Sequence, residues 1–351
     1  MERGFVRIFI GICHPKDVHF WKHVIHNLEK DGHEVRILAW DKDVTLYLLD
    51  TYGFDYEVIG KSYKNFLMKF YDMLRSDVKV LKAAMKFKPD LFIHGDPYLA
   101  HVSTITGKYH IEYCDTDHAK LIHLTTFPFS DVICTPASFN KEVDPKKHLT
   151  FNGYSELAYL HPAYFKPNPS VLDELGLKMG ERFIVMRFVA WGASHDVNQQ
   201  GFNSKEEIVE GLEKYGRVFI VSEKELDESL EKYRISIPAQ KVHDLLYYAT
   251  LYIGEGATMA SEAAILGTPS IYINTLRLGY TDEEENEYGL LYNFSDPENM
   301  QPKGLSKAIE LLEMEDVKGQ WQEKRKRLIE EKIDVTGFLT ELIEKSPVHK
   351  N

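Results

Sequence analysis

Short runs rich in β-branched and aromatic residues alternate with segments of helical period along nearly the whole chain, and this alternation narrows the accessible folds more than any other feature. Each crossover through a helix brings the next strand back parallel, so the pattern predicts parallel sheets covered by helices on both faces. Strands are predicted over 5–12, 34–39, 56–59, 90–94, 109–113, 131–134 and 148–151, with helices near 17–30, 43–52, 62–87 and 97–106. The rhythm breaks at 156–170, where Pro162, Pro167 and Pro169 crowd together with aromatics. It then restarts with strands at 182–190, 217–222, 251–254 and 270–274. Helices follow near 204–214, 224–232, 240–249, 257–266, 282–288, 302–313 and 317–345. The expected organisation is a first Rossmann-like doubly wound domain at 1–158, a linker at 159–170 and a second such domain at 171–316. A helix within 317–351 is expected to return to the first domain.

Composition bounds the function. A chain of 351 residues, 44% hydrophobic and 27% charged, suits two globular cores. The net charge of −12 argues against a general nucleic-acid binder, which must neutralise phosphates. Three scattered cysteines, Cys13, Cys114 and Cys134, support neither a disulfide framework nor a zinc site and fit a reducing cytoplasm. No apolar run reaches the ~20 residues of a membrane span, and the opening residues read as a first strand rather than a signal peptide.

The densest chemical signal is Leu251-Tyr252-Ile253-Gly254-Glu255-Gly256-Ala257-Thr258-Met259, which reads as strand, glycine turn and helix start. Glycines two positions apart allow a sharp turn and a close ligand, and the N–H groups of Ala257, Thr258 and Met259 open a helix without intrahelical acceptors. A phosphate fits that mouth. Glu262, one and a half turns further in, can accept bonds from sugar hydroxyls. The competing reading is a packing turn whose glycines bind nothing.

Gly256-Ala257 followed by Ser261-Glu262, Gly267 and Pro269 resembles the donor-nucleotide signature of GT-B glycosyltransferases. The spacing is most similar to that of the bacterial enzyme that adds N-acetylglucosamine to the lipid-linked peptidoglycan precursor. The region also resembles the non-hydrolysing UDP-N-acetylglucosamine 2-epimerases. Further motifs resemble a largely archaeal, uncharacterised family of GT-B-like proteins over nearly the whole chain. They are His14-Pro15 with His19-Phe20, Gly32-His33-Glu34-Val35, Cys114 through Lys120, Tyr159-Leu160-His161-Pro162, Arg187 through Asp196, and Gly254 through Ala264.

The resemblance implies a GT-B-like α/β fold with an interdomain cleft and a nucleotide sugar, UDP-linked, as co-substrate, without other cofactor or metal. Glu262 would then hold the ribose, with Gly254, Gly256, Ala257 and Thr258 along the diphosphate. His19 falls where many inverting members carry a histidine and is the base candidate, since imidazole takes a proton near neutral pH. Its bland reading is a polar residue near a helix start. Arg187 could balance charge on a departing diphosphate or pair with a carboxylate, and Asp96 is a fallback base at a strand end.

Ser194, His195 and Asp196 form a loop that could meet phosphate or sugar, and Glu223 ends a strand or caps a helix. Asp117 and His118 are candidates for acceptor hydroxyls. A metal at Asp115 and Asp117 is disfavoured because helix dipoles and basic side chains replace it in this fold. Glu283 and Glu284 are candidates by the epimerase resemblance alone.

Residues 61–88 carry eight Lys or Arg against Asp72 and Asp77, a local balance of +6 with aromatics interleaved. A solvated lysine face is the favoured reading, and contact with anionic lipid on the inner membrane face is the alternative. The leading functional expectation is glycosyl transfer to a sugar or lipid-linked acceptor. Sugar-nucleotide 2-epimerisation and nucleotide-sugar binding without turnover are its rivals, and monomer and dimer are both compatible.

Overall fold

The computed structural model describes residues 4–61, 66–189, 200–222 and 225–350. They form two compact units, Met1–Tyr164 with Ile333–Asn351, and Phe165–Lys332. Unit 1 runs β1 (Arg7–Ile12), α1 (Pro15–Lys30), β2 (Glu34–Asp41), α2 (Thr45–Thr51), β3 (Tyr56–Lys61), α3 (Phe66–Phe87), β4 (Leu91–Ile93) and α4 (Asp96–Thr106). It continues with β5 (Tyr109–Tyr113), α5 (Lys120–Thr126), β6 (Val132–Pro136), β7 (His148–Phe151) and α6 (Leu157–Leu160). Unit 2 contains α7 (Ser170–Glu174), β8 (Phe183–Phe188), α8 (Lys205–Leu212), β9 (Arg217–Ser222), α9 (Glu228–Glu231), α10 (Val242–Tyr248), β10 (Leu251–Gly254) and α11 (Ala257–Ile265). Then come β11 (Ser270–Ile273), α12 (Gly279–Asn286), β12 (Leu291–Phe294), α13 (Met300–Glu313) and α14 (Val317–Glu331), and α15 (Val335–Glu344) belongs to unit 1.

Both sheets are parallel. The first has seven strands in the order β3-β2-β1-β4-β5-β6-β7, the second five in the order β12-β11-β10-β8-β9. Strands covered on both faces read as unbroken apolar runs, and β4, β10 and β11 are buried at every position. The unpredicted β12 lies at an edge with only Leu291 buried, so its sequence shows neither an apolar run nor alternation. In the same way α5 leaves Leu121 and Leu124 exposed and carries no amphipathic signature.

The expected 317–345 helix is corrected: it is two helices in different units. Lys332 leaves α14 with extended dihedrals, and Asp334 caps α15 by accepting the Gly337 N–H at 3.0 Å. α14 stays in unit 2 because its polar side chains satisfy the last carbonyls of α11. Arg325 Nε donates to Ile265 O at 2.8 Å, and Gln322 Nε2 donates to Leu266 O and Gly267 O at 3.0 and 3.1 Å. α15 buries Val335, Leu339 and Ile343 in unit 1, each burial stabilising by roughly 1.5–3 kcal/mol. The division between the units falls after Tyr164, and α6 is fully buried in unit 1.

β1 and β4 meet where the strand order reverses, and Gly11 there faces Gly95. A Cβ on Gly11 would collide with Gly95 Cα and lie 2.9 Å from its nitrogen, a clash with backbone that cannot rotate away. Gly11→Ala is expected to destabilise by at least about 2 kcal/mol, whereas Gly4→Ala, with open space around its Cβ, should be near neutral. Urea midpoints of the two variants check this.

Candidate functional site

In unit 2 the strand order reverses between β8 and β10, the kind of switch point at which open parallel sheets bind ligands. Gly254 ends β10 beside Arg187 of β8. A side chain on Gly254 would strike the Tyr252 hydroxyl and approach Arg187 O at 2.9 Å, so only glycine fits. Gly256 then caps α11 with no side-chain hydrogen bond, leaving the first N–H groups of the helix at a partly exposed mouth. Arg187 reaches this turn: a Cβ on Gly256 would lie 3.8 Å from Arg187 Cγ.

Glu255, 1% exposed, organises the strand ends. Its carboxylate accepts the N–H groups of Val189 and Phe202, both at 2.8 Å, and Asn274 Nδ2 donates to its carbonyl at 3.0 Å. Glu262 is buried in α11 with Oε1 3.0 Å from His243 Nε2 of α10.

In unit 1 the reversal lies between β1 and β4. His94, Gly95 and Asp96 take φ of 53°, 96° and 52°, three successive left-handed residues of which two are not glycine. Such strain persists only where surrounding structure enforces it. Here the Gly11 contact and the start of α4 do so. The turn holds His94 Nδ1 2.7 Å from Glu112 Oε1 of β5 and Nε2 3.6 Å from Asp17 Oδ2 of α1. Asp17 is itself placed by accepting the N–H groups of Cys13 and His14, both at 2.8 Å, within a capping box.

Burial works against a charged imidazole at His94, but the carboxylates of Glu112 and Asp17 outweigh it and hold the group well above its ordinary value. Burial pushes Glu112 up to about 7 against the pull of His94. Asp96 is raised by burial, with His94 opposing and Asp17 adding to the rise. Asp17, also desolvated, ends below its ordinary value because His94 prevails.

A second charged group lies alongside. Lys16 Nζ is 2.7 Å from Asp115 Oδ2 and 2.8 Å from Glu156 Oε1, and Ser155 Oγ donates to Asp115. Burial raises both carboxyls; Lys16 overcomes this at Asp115, held to about 2, and not at Glu156, which stays raised.

The family described as protein of unknown function (DUF354) matches residues 6–333. The chain belongs to this family. A Methanocaldococcus jannaschii relative named uncharacterized protein MJ0665 is 26% identical over 333 residues, spanning 88% of this chain and 94% of its own. Among solved structures, the Neisseria meningitidis UDP-GlcNAc 2-epimerase bound to UDP-GlcNAc superposes with a TM-score of 0.68 at 11% identity, covering 97% of this chain and all (100%) of its own. The spinosyn forosaminyltransferase SpnP gives 0.62 at 13% identity, with coverage of 97% and 100%. The DUF354 chain therefore has the mixed α/β, two-sheet fold shared by GT-B glycosyltransferases and UDP-GlcNAc 2-epimerases.

Several residues singled out in the sequence gather at these two switch points. Gly254, Gly256, Ala257, Thr258 and Arg187 meet in unit 2, and Asp96 stands in unit 1. His19 is 8% exposed in α1, with Nδ1 3.1 Å from the Tyr52 hydroxyl and its ring beside Tyr159. Asp117 Oδ1 accepts the Asn140 N–H at 3.0 Å with His118 next to it, so Asp115 and Asp117 serve different partners. Glu284 is fully buried and accepts the Ser261 hydroxyl at 2.5 Å, and Glu283 pairs with Lys332 at 2.5 Å. Ser194, His195, Asp196 and Glu223 lie outside the described residues.

Asp17, Lys16, His94, Glu112 and Glu255 went unread. Glu112 carried a usable signal, a lone acid inside a largely apolar strand, whereas the His94-Gly95-Asp96 run at a strand end pointed to Asp96 alone.

Removing Lys16 would leave Asp115 and Glu156 facing one another without their cation. Lys16→Met should cost about 3–5 kcal/mol, and adding Asp115→Asn should recover much of it, as a double-mutant cycle in urea would show.

His110 gives a pH dependence. Its Nε2 lies 3.2 Å from His94 O, which can only accept, so Nε2 carries the proton, and Nδ1 lies 3.0 Å from Ser130 Oγ, whose single hydroxyl proton is shared with Thr126 O. Burial lowers its value to about 3, below the ~6.5 of the unfolded chain. Because the unfolded state binds the proton first, its contribution is intact above about pH 6.5 and is lost progressively on acidification towards 3. Unfolding midpoints should fall less steeply between pH 6.5 and 4.5 (a range set by ~6.5 for free imidazole) in His110→Gln than in the parent.

Proposed function

We propose that the chain is a nucleotide-sugar enzyme that inverts a carbon of a UDP-linked sugar by proton transfer. Unit 2 takes the nucleotide: the free N–H groups of α11 and the Arg187 guanidinium suit a diphosphate, and the Glu262–His243 pair suits ribose hydroxyls. Unit 1 holds the ionisable groups. Inversion breaks a C–H bond and remakes it on the opposite face; the electron pair released at carbon expels the neighbouring UDP, which adds back as the proton is replaced, so one group must accept a proton and another give one. The observation that carries the reading is that one strained turn presents both: His94, held protonated by two carboxylates, and Asp96, a carboxylate two residues on. Glu112 is the positioning residue, keeping the His94 ring oriented and charged. The fold shared with a 2-epimerase bound to UDP-GlcNAc supports the choice of UDP.

Glycosyl transfer to a separate acceptor is the second reading. The fold shared with a forosaminyltransferase favours it, and it would need a base alone, for which His19 and Asp96 are the candidates.

Incubation with UDP-GlcNAc alone in D₂O, followed by NMR, separates the two. The expected outcome is an epimeric UDP-sugar with deuterium at the inverted carbon. Asp96→Asn should lower the rate by about 10²–10⁴-fold while UDP binding, read by calorimetry, is unchanged. Glu262→Ala should weaken UDP binding about tenfold. Activity should rise as Asp96 ionises and fall at alkaline pH as His94 loses its proton, and Glu112→Gln should move that alkaline limb to lower pH. UDP binding without isomerisation or deuterium would transfer support to glycosyl transfer if an acceptor then restores turnover. Absence of UDP binding would end both readings.

A further inference from the structure

α3 has two apolar faces, and the fold uses one. Its inner face buries Val80, Ala83, Ala84 and Phe87 in a cluster with Phe9, Trp40 and Phe92. On the opposite face Tyr71, Leu74, Val78 and Met85, at helical spacings of three, four and seven, are between 52% and 70% exposed. A surface helix of a globular protein ordinarily sets polar groups there. The neighbouring helices extend the patch. His101 of α4 bonds Asp77 of α3 through Nδ1 at 3.1 Å and Thr125 O of α5 through Nε2 at 3.0 Å, tying the three side by side. Leu121 and Leu124 of α5 are 60% and 73% exposed. Eight of the thirteen large apolar side chains exposed among the described residues sit on α3, α4, α5 and the turn after α5, so the patch is concentrated rather than scattered.

Charge distinguishes the occupants. The segment 61–88 carries +6 in a chain of net −12, and Arg75, Lys82 and Lys86 are exposed on α3 beside the apolar stripe, with Lys88 exposed just past its end. A cavity of about 250 Å³ near one end is lined by Lys61, Arg75 and Lys79 with Asp41 and Asp72. Another of about 320 Å³ near the other end is lined by Arg7, Lys88 and Lys108 together with Met85 of the stripe. A two-fold contact with a second copy would set these basic ends against each other. An anionic surface meets both requirements, because apolar side chains enter the acyl boundary while lysines and arginines meet headgroup phosphates.

We propose that the outer face of α3, extended by α5, docks the protein on bilayers containing anionic phospholipid. This is independent of the activity proposed above. Among the described residues no helix is long and apolar enough to cross a membrane, so the contact is peripheral.

Flotation of the full chain with phosphatidylcholine vesicles, with and without phosphatidylglycerol, tests the surface. The protein should float with the anionic vesicles only, and should be released as salt is raised. Two variants probe the two halves of the argument. Lys82→Glu with Lys86→Glu should weaken binding more than about tenfold, and Leu74→Ser with Val78→Ser should do the same while thermal unfolding stays unchanged. Lys214→Glu with Lys303→Glu, exposed in unit 2, is the control and should bind as the parent does. Failure to float, equal flotation with neutral vesicles, retention by either α3 variant, or equal loss in the control would each overturn the proposal. So would a concentration-dependent dimer abolished by Leu74→Ser with Val78→Ser, which would assign the face to a second copy.

Discussion

Connections that leave adjacent parallel strands toward opposite sides of the sheet open a gap between their carboxyl ends, and the two polar centres described above are built in such gaps. In unit 1 the gap lies between β1 and β4, in unit 2 between β8 and β10. Each requires a backbone with no side chain in the way. Gly11 against Gly95 meets the need in one unit, and Gly254 against Arg187 O meets it in the other. A helix starts at each gap, so helix-terminal N–H groups, capped by His14 and Asp17 in unit 1, and acidic or basic side chains converge where the apolar layers end.

The two gaps are filled differently. Unit 2 offers backbone: a helix mouth capped by glycine, one arginine, and a buried glutamate, Glu255, that pins the flanking strands through main-chain bonds. Its polar groups are thus mostly those of the main chain. Unit 1 offers ionisable side chains whose values are pulled apart by burial and by one another. His94 stays charged because two carboxylates face it, and Glu112 is pushed towards neutrality because it is buried. The values of the two groups are thus set by burial and by one another rather than by solvent.

The parallel α/β class was legible because strands covered on both faces must be apolar throughout, and the glycine turn was legible because backbone conformation limits which residues can stand there. Edge strand β12 and the short α5 escaped notice for the converse reason: neither has an inward face large enough to impress a period on its sequence. The break between α14 and α15 was missed because Lys332-Ile333-Asp334 contains neither glycine nor proline. Its cause is tertiary. α14 is held by the carbonyl ends of α11 and α15 by the buried faces of α1 and α6.

By itself the sequence determined what depends on neighbours along the chain: the alternation that makes two parallel sheets, the caps and glycines that start and stop helices, and the glycine turn at Gly254–Thr258. Only tertiary structure decided which charged residues share a site. Lys16, Asp115 and Glu156 are far apart in sequence, as are Asp17, His94 and Glu112, and nothing local relates them. They meet because parallel strands deliver their carboxyl ends to one edge of a sheet, and strand order, fixed by packing of the crossover helices, chooses which ends are adjacent.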